Sequence, residues 1–139
     1  MQYWLFKSEP NTWSWTNQLE RGDKGEHWDG VRNYQAAKNM KAMKIGDLGF
    51  FYHSVNEKQI VGIVEIIKEY YPDHTDEKGI FGMVDIKAIK SVTNQITLKE
   101  IKENEKLKEM KLVKQSRLSV SPVTKHEWEI ILKMSNTNL

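Results

Sequence analysis

The chain has 139 residues, room for one domain spanning 1–139, and a globular chain of this length buries roughly two-thirds of its unfolded surface. Hydrophobic residues at 39% and charged residues at 29% exclude a disordered chain. A net charge of +2 means that local basic patches, not the global field, would have to attract nucleic acid. Cysteine is absent, which removes disulfide scaffolds, thiolate metal sites and cysteine nucleophiles together. There is no basic-then-apolar leader, and no apolar run nears the ~20 residues of a membrane span, so a cytoplasmic location is the expectation.

In chain order, Gln2–Phe6 is short, aromatic and strand-like, stopped by Pro10. Asn11 is a candidate N-cap for a helix over Asn11–Glu20, and the glycine- and charge-rich Arg21–Gly30 reads as a loop. Asn33 can cap a second helix to Met43, with Ala36, Ala37, Met40 and Met43 at helical spacing. Leu48–His53 and Gln59–Ile67 predict a hairpin around Ser54–Lys58. The second of these strands is nearly all apolar, as in a strand buried on both faces, and its Gly62 marks a bulge or a close approach. Tyr71–Gly79 is polar and turn-rich, and Phe81–Lys90 alternates as a strand.

Thr97 with Glu100, and Thr124 with Glu127, are capping boxes that open two further helices. Between them, Lys99–Arg117 carries seven basic and four acidic residues, and Leu118–Val120 forms a short strand ended by Pro122. Ser135–Leu139 reads as a frayed tail. The fold class is therefore mixed α/β, built around a curved sheet or barrel.

Ten of the chain's fourteen aromatic residues precede residue 53. Most such side chains serve a core, while a remainder can wall a pocket for a flat ligand. The segment Trp28-Asp29-Gly30-Val31-Arg32-Asn33 puts a stacking ring, a close-approach backbone and the N–H groups of a helix start within six residues. Its plainer reading is a capped helix with a buried Trp. Lys7-Ser8-Glu9-Pro10 is either a turn or a rim of donors at a strand end. Arg117-Leu118-Ser119 is either an edge strand or part of the same rim. His53 and Ser54 offer an acid–base group beside a nucleophile, with no third group identifiable to orient them. The histidines at 27, 53, 74 and 126 show no paired ligand spacing, so no metal or cofactor is expected; Asp73-His74-Thr75-Asp76 reads as a solvated loop.

Six runs in order resemble the EVE domain family of the PUA-like superfamily. They are Tyr3–Pro10, Trp28–Ala36, Met43–Asp47, Phe51–Ser54, Ile60–Ile63 and Arg117–Val123. Two departures stand out: the family commonly has Arg where this chain has Ala37, and often Trp where it has Phe81.

The resemblance implies a small curved PUA-like β-barrel flanked by helices. It also implies a binding pocket with no catalytic centre, similar to that of YTH domains, which hold a methylated adenine. The implied partner is nucleic acid carrying a modified base, such as 5-methyl- or 5-hydroxymethylcytosine, in DNA more than RNA. The implied pocket holds Lys7, Ser8, Trp28, Gly30, Val31, Asn33, His53, Ser54, Leu118 and Ser119, with Arg32, Lys38, Lys41 and Arg117 as phosphate contacts. Trp28 would stack or wall the base, and Asn33, Ser54 and Ser119 would meet its edge. An RNA-binding module, a sensor of free nucleosides and an enzyme using His53 and Ser54 remain as rival readings.

Overall fold

The computed structural model describes residues 1–139. Its centre is one six-stranded sheet in the order β2 (Glu26–His27), β5 (Gly82–Thr97), β4 (Gln59–Pro72), β3 (Leu48–His53), β1 (Tyr3–Ser8) and β6 (Val120–Val123). The aromatic start of the chain forms β1 (Tyr3–Ser8), two residues longer at its polar end than its apolar pattern predicts. After it, Glu9 accepts backbone hydrogen bonds from Thr12 and Trp13, so a turn occupies the stretch expected to begin α1. Helix α1 (Trp15–Glu20) starts instead at Ser14. The reason is a reciprocal cap: the Asn17 N–H donates to the Ser14 hydroxyl at 3.0 Å and the Ser14 N–H to the Asn17 side chain at 2.9 Å. Asn11 has no such partner three residues on. The loop that follows contains β2 (Glu26–His27), a two-residue strand paired to β5.

Helix α2 (Tyr34–Lys41) begins at the Asn33 cap, whose side-chain oxygen accepts from the Ala36 N–H. It ends shortly before β3 (Leu48–His53), which lies parallel to β1 through this crossover. The hairpin β3–β4 forms as expected, but β4 (Gln59–Pro72) and β5 (Gly82–Thr97) both run well past their apolar stretches. The extensions carry mostly exposed residues, with only Val92 and Ile96 of the β5 extension buried, so the two strands satisfy each other's backbone there and no sustained alternation of burial marks them. The register between β4 and β5 shifts at four places, which interrupts their regular pairing.

The two outermost strands, β2 and β6 (Val120–Val123), pair with β5 and β1 alone. The sheet is therefore open, and the expected barrel is not closed. Pro122 lies inside β6, where it was expected to end the strand; an edge strand has one side with no ladder bond for proline to lose.

Helices α3 (Leu98–Glu103), α4 (Lys111–Lys114) and α5 (Lys125–Met134) complete the chain, with α3 and α5 opened by the two capping boxes. The expected frayed tail is a packed one. Ser135 and Thr137 are buried, the Thr93 N–H donates to the Thr137 hydroxyl at 3.0 Å, and the Asn94 N–H to the Ser135 carbonyl at 2.9 Å. These bonds finish the exposed stretch of β5, a use no local pattern announces.

Alternation along the strands divides the interior in two. Trp4, Phe6, Phe51, Val64 and Ile86 face one side, where α1 and α2 add Trp15, Ala36 and Met40. Leu5, Phe50, Tyr52, Ile63 and Ile96 face the other, closed by Ile101, Leu112, Trp128 and Ile131 from the later helices. Gly62 on β4 is a close approach: a Cβ there would overlap the indole ring of Trp15. No helix is long and apolar enough to cross a membrane.

Candidate functional site

The first face of the sheet carries a cleft of about 480 Å³. Its floor and one wall come from the C-terminal end of β1, through Lys7 and Ser8, and from Thr12 and Trp13 in the turn after it. The segment Glu26–Arg32 forms the opposite wall, and Ser119, just before β6, closes the end. Trp28 is held edge-on: its ring meets Phe6 at 5.2 Å and Phe51 at 5.7 Å between centroids, and its backbone N–H donates to the Val84 carbonyl at 2.7 Å. Ser8 donates its hydroxyl proton to the Trp13 carbonyl. The Lys7 ammonium donates to the Ser116 carbonyl at 2.6 Å, and burial lowers its pKa from the ordinary lysine value.

Asp73 organises this wall from 43 residues away. One carboxylate oxygen accepts from the Gly30 N–H at 2.8 Å and from the Arg32 guanidinium at 3.0 Å. The other accepts from the Thr75 N–H at 2.7 Å and the Thr75 hydroxyl at 2.6 Å. Burial pushes the carboxyl up, but these donors together outweigh it and hold Asp73 well below the usual carboxylate range. Gly30 sits at φ +80°, the left-handed backbone that turns its N–H toward that oxygen.

The cleft's charges are mixed. Lys7 and Arg32 face Glu9, Glu26 and Asp29, so the lining offers donors and acceptors together. Beside the cleft, His27, Asp29 and His74 place one ligand atom each within 4.8 Å of one another, a grouping that their separation in sequence hides. Two imidazoles and a carboxylate suit a divalent transition metal by ligand type. Two of the three side chains are exposed, and the His27 Nδ1 also lies 3.1 Å from the Glu26 carboxylate.

Lys7, Ser8, Trp28, Gly30, Val31 and Ser119 thus line one cleft, joined there by Arg32, which was expected at the phosphates. Asn33, Leu118 and Arg117 line a second, shallower depression with Gln35 and Lys114–Ser116. It is the chain's direct continuation of the first, through Arg32–Asn33 and Leu118–Ser119. His53 and Ser54 line neither. The His53 Nε2 accepts from the Trp15 N–H at 3.0 Å, so its other nitrogen carries the proton toward Glu57 at 2.7 Å. The imidazole's one lone pair is engaged, and its geometry is that of an anchor for α1. The Ser54 N–H donates to the Ser8 carbonyl, which ties the hairpin to the end of β1. Lys38 and Lys41 are exposed on α2 outside both depressions, with the Lys41 ammonium 5.6 Å from the Tyr70 ring centre.

The lining residues that sequence reasoning missed are Glu9, Thr12, Trp13, Glu26, His27 and Asp29. Polar residues in a loop carry no local mark of the cavity they face. Asp73 was missed as well, although Asp73-His74-Thr75 has the local signature of an Asx turn.

A family model described as the EVE domain matches residues 2–134. The chain belongs to the EVE domain family. Among curated relatives, thymocyte nuclear protein 1 of Mus musculus is 36% identical over 97% of this chain and 74% of its own length. Among solved structures, a protein from Agrobacterium tumefaciens is 48% identical, with a TM-score of 0.97 over 99% of this chain and 94% of that one. The human THYN1 protein, solved in complex with DNA containing 5-methylcytosine, is 32% identical, with a TM-score of 0.92 over the whole of both chains. A YTH domain from Zygosaccharomyces rouxii, in complex with N6-methyladenosine RNA, shares the fold at a TM-score of 0.57 and 16% identity.

Proposed function

We propose that this EVE domain is a reader of DNA carrying 5-methylcytosine, with the modified base drawn out of the helix into the cleft beside Trp28. The carrying observation is similarity over the whole solved chain of the human protein bound to such DNA, in a chain whose cleft has the chemistry of a cytosine edge. Cytosine presents an exocyclic amine that donates and ring and carbonyl atoms that accept. The cleft supplies carboxylates from Glu9, Glu26 and Asp29 for the first, and donors from Lys7 and Ser119 for the second. A pocket made only to hold phosphate would not be lined by three carboxylates.

Extruding a base costs a few kcal/mol, and aromatic stacking returns about 1–3 kcal/mol of it. The added methyl is worth about 1–3 kcal/mol, so preference over plain cytosine falls between a few-fold and about a hundredfold. Phosphates meet the second depression, where Lys114 and Arg117 stand beside Asn33. The engaged lone pair of His53 leaves no free base beside Ser54, which favours binding over turnover.

Fluorescence anisotropy with matched duplexes carrying cytosine, 5-methylcytosine or 5-hydroxymethylcytosine, and with the RNA counterpart, tests the proposal. Affinity is expected to favour a modified duplex and to fall with salt. Removing both Lys114 and Arg117 should reduce the slope of log K against log salt by about 2. A folded Trp28→Ala protein that binds the modified duplex as tightly as the wild type would overturn the assignment.

A further inference from the structure

Tyr34 is the first residue of α2, and 73% of its surface is exposed. An aromatic ring so open to water at a helix start contributes little to folding. Yet it is not loose: it leans on Phe81, with ring centroids 5.0 Å apart at 44°. The Arg32 guanidinium lies 5.8 Å from the centre of that same Phe81 ring, and is itself held by Asp73 and Thr75. Ile80, half exposed, adjoins Phe81 in the chain. The result is a braced apolar ridge on a polar surface. In the chain Tyr34 follows Arg32, which lines the cleft, and falls between Asn33 and Gln35, which line the basic depression.

A base that leaves a duplex leaves a gap in the stack, and proteins that bend or open DNA commonly fill such gaps with an apolar or aromatic side chain. We propose that Tyr34, backed by Phe81, is the side chain that enters the duplex where the modified cytosine has left it. This rests on the base-extruding reading above. The ridge has the right chemistry for that occupant: a flat ring to stack, a phenol to meet the orphaned guanine's edge, and cations at Arg32, Lys114 and Arg117 to hold the flanking phosphates. An apolar protein partner would have no such need of these cations.

The test compares wild type, Tyr34→Ala and Tyr34→Phe on a duplex with one 5-methylcytosine and on the modified single strand of the same sequence. A single strand has no gap to fill. Tyr34→Ala should weaken duplex binding by about tenfold or more while changing single-strand binding less than about twofold. Tyr34→Phe should stay close to wild type, and an unchanged thermal midpoint for both variants would exclude misfolding. Equal losses on duplex and single strand would overturn the plug and make Tyr34 a plain strand contact. No loss on either would overturn it too, with modified-base binding by the wild type left standing. If the wild type itself shows no preference for modified DNA, the underlying reading fails, and this inference falls with it.

Discussion

Replacing Asp73 by Asn tests how the cleft wall is held. The carboxylate accepts two donors on each oxygen, from Gly30 and Arg32 on one and from Thr75 twice on the other. An amide keeps one oxygen and turns an NH₂ group toward the remaining pair of donors. Hydrogen bonds to a charged acceptor contribute about 1.5–3 kcal/mol each, and the Arg32 side chain, 39% exposed, is worth less because water screens it. Two such bonds lost give a destabilisation of about 3 kcal/mol, or a fall in Tm on the order of 10 °C for a domain of this size. The pH dependence follows from the direction of the shift. Asp73 titrates lower in the folded protein than in the unfolded chain, so its contribution is complete above the unfolded value of about 3.9 and declines as pH falls below it. Urea unfolding followed by tryptophan fluorescence should show the full gap between wild type and Asp73→Asn at pH 7, narrowed by about 1 kcal/mol at pH 3. A gap below 1 kcal/mol at pH 7, or one that does not change with pH, would refute the reasoning.

Two further perturbations probe the support beneath the cleft. Gly62→Ala would press a methyl group into the Trp15 ring, which cannot retreat because its indole N–H is bonded to Ser91 at 2.8 Å and its backbone N–H to His53. The expected cost in a denaturation experiment is about 1–3 kcal/mol, and a change under ~0.5 kcal/mol would mean that the ring repacks freely. His53→Gln should lower stability by about 1–2 kcal/mol by loosening the start of α1, while leaving the affinity of the folded protein for modified DNA within about twofold. Lost binding at unchanged stability would instead place His53 at the ligand.

What was legible in the sequence was mostly local. Thr97 with Glu100, Thr124 with Glu127, and Asn33 each announce a helix because cap and partner lie three residues apart. Gly62 signals a bulge or a close approach, and the structure has a register shift beside it as well as Trp15 packed against it. Ser14 was passed over for Asn11 because the partner here is another Asn, outside the usual Ser/Thr–Glu/Gln pattern. The outer lengths of β4 and β5, the packed tail and the open sheet depend on backbone pairing between segments far apart, which leaves no periodicity to read. The same division holds for the cleft. Lys7, Ser8, Trp28, Gly30, Val31 and Ser119 sit in short runs that stand out in the chain, and the structure brings them to one cavity. Asn33, Leu118 and Arg117 belong to the neighbouring depression, and His53 to the support of α1. The bonds of Asp73 to Thr75 have a local Asx-turn signature, but its tie to the cleft wall does not, because Gly30 is 43 residues away.

The partition of the interior by the sheet bears on how such a domain can change over time. The cleft stands on the side of Phe6, Phe51 and α2, while Trp128, Ile131 and the other late-helix residues fill the opposite compartment. Between them lies the sheet itself, whose strands send alternate side chains to opposite sides. A substitution within α5, at Trp128 or Ile131, therefore lowers stability without touching a side chain that lines either depression. Ligand preference and thermal robustness can drift on separate sets of residues, and an engineer could harden the rear of this domain first and retune its specificity afterward.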